Sequence, residues 1–302
     1  MGLGLDAGRA FSHLSPEPGN AADFYRRPRP GRADQDIGGE RGPGLRDLTV
    51  GRTQKKERKV LNTDAGLYAE EGYCFFADIF TGEEVTAMQH TLAVAQRADF
   101  LERDQYYGEP HTREVFWLEI CTQPRLLDAV EAVLGPNLIL VYSSMFIKKP
   151  GDGTSVGWHQ DNTYWPSVHG TDVATVWLAI DEADADNAAM RIIPGSHRGH
   201  RALDTVPAGE TEMLTKKIVV TPQMEERAVL MAMRAGSVSI HDSYILHGSQ
   251  VNTSPRRRAG YTIRYCSTDT AWVDMDQHPI PVFLVRGEGG ERGGRYTDLR
   301  PT

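Results

Sequence analysis

Two kinds of hydrophobic pattern divide this chain. From about residue 60 to residue 136, apolar positions recur at helical spacing. In "TGEEVTAMQHTLAVAQRADFL", Val85, Met88, Leu92 and Ala95 fall on one helical face, and Thr81 with Glu84 forms a capping box at the start. "QPRLLDAVEAVLGP" predicts a second amphipathic helix, with Pro124 in its first turn and Gly135 just past its end. "NTDAGLYAEEGY" predicts a short helix capped by Thr63 and ended by Gly72. After residue 136 the texture changes. Short β-rich runs follow one another, separated by Gly, Pro, Asn and Asp: "LILVYSSMFIKK", "VATVWLAID", "MRIIPGS", "KKIVV", "AVLMAM", "GSVSIHD" and "AGYTIRYC". Strand after strand without intervening helices predicts a sandwich or barrel and argues against a parallel α/β sheet. The expected fold is α+β with a mainly β core: a double-sheet jelly roll with flanking N-terminal helices.

The first 58 residues stand apart. They hold ten glycines and five prolines with little apolar periodicity, which predicts a flexible Gly/Pro/Arg-rich extension. Residues 1–59 carry 12 Lys+Arg against 8 Asp+Glu, a charge of +4, so the remainder of a chain of net charge −8 carries −12. One ordered domain is expected over residues 59–302, with a loosely ordered tail from about residue 287. The acidic balance gives no reason to expect nucleic acid or an anionic membrane surface as a partner. No apolar run approaches a membrane span, and the start of the chain lacks the apolar core of a secretory signal. The three cysteines, Cys74, Cys121 and Cys266, are far apart and form no CxxC pair. A reducing cytoplasm is the simplest expectation.

The chemistry begins at "GWHQDNTYW". His159 and Asp161, two apart on an extended strand, point to the same face. A buried imidazole and carboxylate side by side are costly unless they bind something, and a metal ion is the candidate. Of the ten histidines, only His159 is followed two residues later by a carboxylate. A third ligand from another strand is needed. His247 in "DSYILHGSQVN", at the end of a β-rich run, is the best candidate; His197, His200 and His241 compete. Two imidazoles and one carboxylate leave one face of an octahedral ion open, the facial arrangement of non-heme Fe(II) oxygenases. Eleven residues after His247, beyond the turn-forming "NTSP", comes Arg258 in "RRR". A guanidinium on the next strand can grip a carboxylate with two parallel hydrogen bonds. Spacing alone does not select Arg258 over Arg256 or Arg257.

These residues resemble the phytanoyl-CoA dioxygenase-like Fe(II)/2-oxoglutarate oxygenases, over about residues 62–267. "KPGDGTSVGWHQDNTYW" is similar to the first metal-ligand segment of that family, "VATVWLAIDEADADNAAMRIIPGSHRG" to its middle segment, and "LHGSQVNTSPRRRAGYTIRY" to the segment with the last ligand and the cosubstrate arginine. The resemblance implies a cupin-like double-stranded β-helix. It implies His159, Asp161 and His247 as iron ligands and Arg258 as the 2-oxoglutarate arginine. It places Trp177 beside 2-oxoglutarate, Gln160 in the same pocket, and Lys148 before the first motif, where a solvent-facing lysine is the competing reading. Ser144 shares the strand parity of Lys148 and is expected to line the cavity. Asn187-Ala188 departs from the Asn-Gly common in the family and touches no ligand. A carboxylate at residue 161, where related halogenases have a small residue, favours hydroxylation.

The expected activity is hydroxylation of a C–H bond in a small organic metabolite, with Fe(II), 2-oxoglutarate and O2, and with succinate and CO2 as coproducts. Trp158, Tyr164 and Trp165 are candidates for the substrate wall. Arg191 is expected either to meet an anionic substrate or to pair within the acidic stretch Asp181 to Asp186. Two other classes fit the same ligand types: a zinc or manganese hydrolase or isomerase on a cupin-like barrel, and a non-catalytic binding jelly roll. Neither consumes 2-oxoglutarate.

Overall fold

The structure, a computed structural model, describes residues 65–97 and 105–300. The extension over residues 1–58, the domain start at 59 and the Thr63 cap lie outside the described residues. Three helices precede or interrupt the first strands: α1 (Gly82–Arg97), α2 (Val115–Cys121) and α3 (Pro124–Leu134). The capping box closes α1 as its spacing predicts. Thr81 N–H donates to Glu84 Oε2 at 2.7 Å, and Glu84 N–H donates to Thr81 Oγ1 at 3.3 Å. A single turn, Tyr68–Glu71, ends at Gly72, whose φ of 78° is a left-handed conformation that favours glycine. Helix α2 was not expected from the apolar pattern; it is seven residues long and has no side-chain cap.

The strands that position the site are, in chain order, β1 (Tyr73–Phe76), β2 (Tyr106–Gly108), β3 (Leu138–Lys148), β4 (Val156–His159), β5 (Val173–Ala179), β6 (Arg191–Ile192), β7 (Val229–Leu230), β8 (Val238–Asp242), β9 (His247–Ser249), β10 (Arg258–Ser267), β11 (Phe283–Arg286) and β12 (Thr297–Asp298). A large sheet runs β1-β8-β5-β10-β3-β11-β12, with β2 also paired to β3. A smaller sheet runs β7-β6-β9-β4. The two face each other as the layers of a jelly roll, the expected class. The tail expected to be loose folds back instead. Thr297 and Asp298 pair in parallel with Phe283 and Leu284, and Tyr296 is buried.

Every residue of β5 and of β10 is buried, so the large sheet is covered on both faces. Alternation then sorts the side chains. Ala259, Tyr261, Ile263 and Tyr265 of β10 pack with Val176, Leu178 and Ile240 in a core closed by Met88 of α1, Trp117 of α2 and Val130 of α3. Each such large apolar side chain, once fully buried, contributes about 1.5–3 kcal/mol. The residues of opposite parity, Arg258, Thr262 and Arg264, line the cavity between the sheets. All three cysteines are free and buried. Among the described residues, no helix is long and apolar enough to cross a membrane.

Two histidines beside this sheet are held neutral. Burial, followed by the charges of His278 and Arg264, pushes His111 down to about 3, and burial pushes His278 down to about 4. A depressed imidazole leaves the unfolded chain binding the extra proton. Stability is therefore full above the ordinary value of 6.5 and is lost as pH falls toward 4 for His278. His278 accounts for a loss on the order of 2–3 kcal/mol across that window. His278→Asn, which can keep the Ser167 bond made by Nδ1, should flatten the decline of urea-unfolding free energy between pH 6.5 and 4. An unchanged slope would place the acid sensitivity elsewhere.

Candidate active site

His159 ends β4, Gln160 continues extended, and Asp161 opens a one-turn helix, Asp161–Tyr164. His247 begins β9 and stands directly opposite His159 in the antiparallel register. The ring centroids of His159 and His247 are 4.0 Å apart. Asp161 Oδ1 lies 3.6 Å from His159 Nε2 and 3.7 Å from His247 Nε2. The three donor atoms fall within 4.8 Å of one another, and all three residues are buried. These separations exceed a hydrogen bond but suit one ion about 2 Å from each atom.

Each ring is oriented from behind. His159 Nδ1 bonds the Gly157 carbonyl at 2.9 Å and His247 Nδ1 the Ile245 carbonyl at 3.1 Å. A carbonyl only accepts, so Nδ1 carries the proton and the Nε2 lone pair is left for a ligand. Burial and the neighbouring His159 hold His247 well below the usual imidazole range, outweighing the opposing pull of Asp161. Burial alone would raise Asp161; His247, then His159 and His241, then Arg264, outweigh it and keep the carboxyl well below its ordinary value. Thr175 Oγ1 donates to Asp161 Oδ2 at 2.6 Å. His241 Nε2 lies 3.5 Å from that same oxygen. The competitor His241 thus sits behind the carboxylate. His197 and His200 are directed elsewhere: the first contacts the Ala69 carbonyl, and the second pairs with Asp242 at 3.1 Å.

The turn after β9 is built as "NTSP" suggests. Asn252 Nδ2 donates to the carbonyls of Lys148, Lys149 and Arg256, while its Oδ1 accepts from Ser254. This clamp starts β10 so that Arg257 points out to Asp181 at 2.8 Å and Arg256 to Asp184 at 2.7 Å. Arg258 points in. It is 2% exposed, its guanidinium lies 5.5 Å from the Trp177 ring, and among the described residues the side chain's sole hydrogen bond reaches Ser249 Oγ at 3.3 Å. Its Nε is buried without a partner, and burial lowers its pKa to about 10. The Trp177 indole lies over Gly260, where an added Cβ would meet Cζ2 at 2.2 Å.

The cavity measures about 580 Å³, open solvent at its mouth included. That is within the range of small-molecule sites. Tyr164, Trp165, Trp177 and Arg258 line it, as expected, and so do Phe146, Leu214, Thr262 and Arg264, which the motifs did not indicate. Several expected residues do not line it. Gln160 faces away from His159 and Asp161; its Nε2 donates to the carbonyls of Arg201 and Tyr244, and its Oε1 accepts from Leu203 N–H. Trp158 alternates to the outer face and packs with Ile193, Ile218 and Leu246. Arg191 lies 5.2 Å over the Trp158 ring and pairs with Glu225 at 2.9 Å, not with Asp181 to Asp186. Both line a separate shallow cleft. Lys148 is fully buried, not solvent-facing; its Nζ contacts the carbonyls of Ser249 and Gln250. Ser144 sits behind Arg264, whose Nη1 donates to its Oγ at 2.6 Å. At the departure from Asn-Gly, Ala188 adopts φ 65°, an uncommon conformation for alanine, in a turn held by Asn187.

A jelly roll enclosing two imidazoles, a carboxylate and an inward guanidinium defines the class: a non-heme Fe(II)/2-oxoglutarate-dependent dioxygenase. The comparisons agree. Residues 68–260 match the family described as phytanoyl-CoA dioxygenase (PhyH), and the chain belongs to that family. A probable alpha-ketoglutarate-dependent hypophosphite dioxygenase of Stutzerimonas stutzeri is 27% identical over 228 residues, covering 68% of this chain and 78% of that one. The peroxisomal phytanoyl-CoA dioxygenase of Bos taurus is 24% identical over 161 residues, 52% of this chain and 48% of its own, so the chain spans about half of that relative. Among solved structures, the apo form of the non-heme monooxygenase ThoJ superposes with a TM-score of 0.65 at 25% identity, covering 78% of this chain and 86% of that one.

Gly260→Ala should displace the indole of Trp177 and destabilise the fold by about 1–3 kcal/mol, as overpacking does. Urea unfolding measures it; a variant as stable as wild type would mean that the indole moves freely.

Proposed function

We propose that His159, Asp161 and His247 hold the ferrous ion on one face, and that Arg258 binds the far carboxylate of 2-oxoglutarate. The reaction is hydroxylation of a C–H bond in a small organic metabolite. The observation that carries the reading is the pairing of His159 with His247 across β4 and β9, with Asp161 between their Nε2 atoms. When bound, iron with 2-oxoglutarate and O2 supplies the oxidant and releases succinate and CO2. The residues do the rest. The backbone carbonyls of Gly157 and Ile245 hold both imidazoles in the tautomer that presents Nε2. Thr175 holds the second oxygen of Asp161, leaving the first for the ion. Arg258 and Ser249 orient the diacid, and the Trp177 ring forms one wall of its channel. Tyr164 and Trp165 shield the open side from water. The buried free thiols support a reducing compartment such as the cytoplasm.

Anaerobic addition of 2-oxoglutarate to the Fe(II)-loaded protein should produce a charge-transfer absorption, and air should then release succinate. Absence of both would rule the reading out. Arg258→Gln should raise the Kd for 2-oxoglutarate at least about tenfold, near 1.4 kcal/mol for a lost charge-assisted contact, and leave iron affinity close to wild type. Asp161→Ala should abolish succinate release and lower iron affinity; wild-type iron binding in that variant would remove Asp161 from the ligand set.

A further inference from the structure

We infer that Arg264 is a substrate-anchoring residue, and that the substrate of this enzyme carries a carboxylate which Arg264 receives. The inference rests on the oxygenase reading and adds the chemical class of the second organic ligand.

Arg264 is 5% exposed and lines the same cavity as the triad. Among the described residues, the hydrogen bonds of its side chain all leave from Nη1, to Ser144 Oγ at 2.6 Å, Thr262 Oγ1 at 2.5 Å and the Thr262 carbonyl at 3.4 Å. Nε is buried without a partner. The guanidinium lies 5.3 Å from the Trp165 ring, which fixes its plane. Among the described residues, no carboxylate pairs with it within salt-bridge distance, although most other arginines of the fold do have such a partner. The side chain is therefore held from one edge, and its Nε–Nη2 edge, the edge that matches a carboxylate, is left unpaired. A guanidinium taken out of water without a counter-ion is costly. A bound anion recovers that cost.

Arg264 is poorly placed for the cosubstrate. It lies six residues beyond Arg258 on the same face of β10, about 20 Å along the strand at 3.3–3.4 Å per residue. In register, Arg258 stands opposite Lys148, and its guanidinium bonds Ser249, two residues past His247, whereas Arg264 stands opposite Thr175, which bonds Asp161. The two guanidiniums thus reach the cavity beside different members of the triad. Charge points the same way. Among the described residues, Asp161 is the sole carboxylate in the lining, against Arg258, Arg264 and, when loaded, a divalent ion. The dianion 2-oxoglutarate leaves one positive charge unmatched, and Arg264 is where it resides. Around it, Tyr164, Trp165, Leu214 and Phe146 offer an apolar wall for the body of the ligand.

The test uses matched acid and amide pairs: acetate, hexanoate and benzoate against acetamide, hexanamide and benzamide. Each is titrated anaerobically into the Fe(II)- and 2-oxoglutarate-loaded protein, with the charge-transfer band as readout. Each is also titrated into metal-free protein, with melting temperature as readout. At least one acid should bind about tenfold or more tightly than its amide. Arg264→Gln should erase that preference while keeping the Kd for 2-oxoglutarate within about threefold of wild type, unlike Arg258→Gln. Arg264→Lys, which keeps the charge and loses the fork, should retain part of the preference and controls for folding. The inference is overturned if acids bind no better than amides, or if the preference survives in Arg264→Gln. It is also overturned if Arg264→Gln weakens 2-oxoglutarate as much as Arg258→Gln does. A wild-type protein that forms no charge-transfer band counts against the oxygenase reading alone, because the melting comparison still reads the carboxylate preference.

Discussion

A strand covered on both sides gives each side chain only two destinations, and the rest of the site depends on that restriction in β10. Its apolar residues face the helical layer and its polar ones face the cavity. The whole strand is buried. Two arginines are thereby committed to the interior, where unpaired charge is expensive. The apolar layer around Met88, Trp117 and Val130 offsets that expense in the resting protein. Ligand binding and folding stability are coupled for the same reason: an anion that matches the guanidiniums favours the native state by mass action.

The geometry of the His159, Asp161 and His247 triad is rigid because none of its three side chains stands on a long loop. His159 and His247 are paired positions of neighbouring strands, and Asp161 follows within two residues. Backbone carbonyls fix both rings, so the tautomers follow from the chain itself rather than from other side chains. Preorganisation of this kind keeps the three side chains aimed into the cavity.

Local rules carried much of this architecture. The capping box at Thr81 and Glu84, the stop at Gly72, the "NTSP" turn and the long strands can each be read from a few adjacent residues, because each depends on nearby backbone. The HxD pair is local for the same reason, whereas spacing from His247 leads only to the arginine triplet and does not pick out Arg258 within it. What escaped depends on cross-strand register. Thr175 meets Asp161, and Arg264 meets Ser144, only because of how β5, β10 and β3 are aligned. Adjacency to the ligands points Trp158 and Gln160 into the pocket, although alternation along β4 and its extended continuation sends them to the other side. Lys148 shares the inward parity, yet backbone carbonyls of the following turn absorb its ammonium. The helix Val115–Cys121 lacked both a capping side chain and the length for a clear period.

The triplet Arg256, Arg257 and Arg258 bears on how this sheet could err during assembly. If β10 slipped by one residue so that Arg257 took the place of Arg258, an arginine would still enter the interior, and positive charge at that spot hardly discriminates that alignment from the right one. Gly260 does. Displaced by one place, it would yield its seat under the Trp177 indole to a bulkier neighbour, and Tyr261 and Ile263 would swap their greasy bed for the polar cleft. The smallest residue in the strand is thus the proofreader of its alignment, and the basic cluster beside it is forgiving.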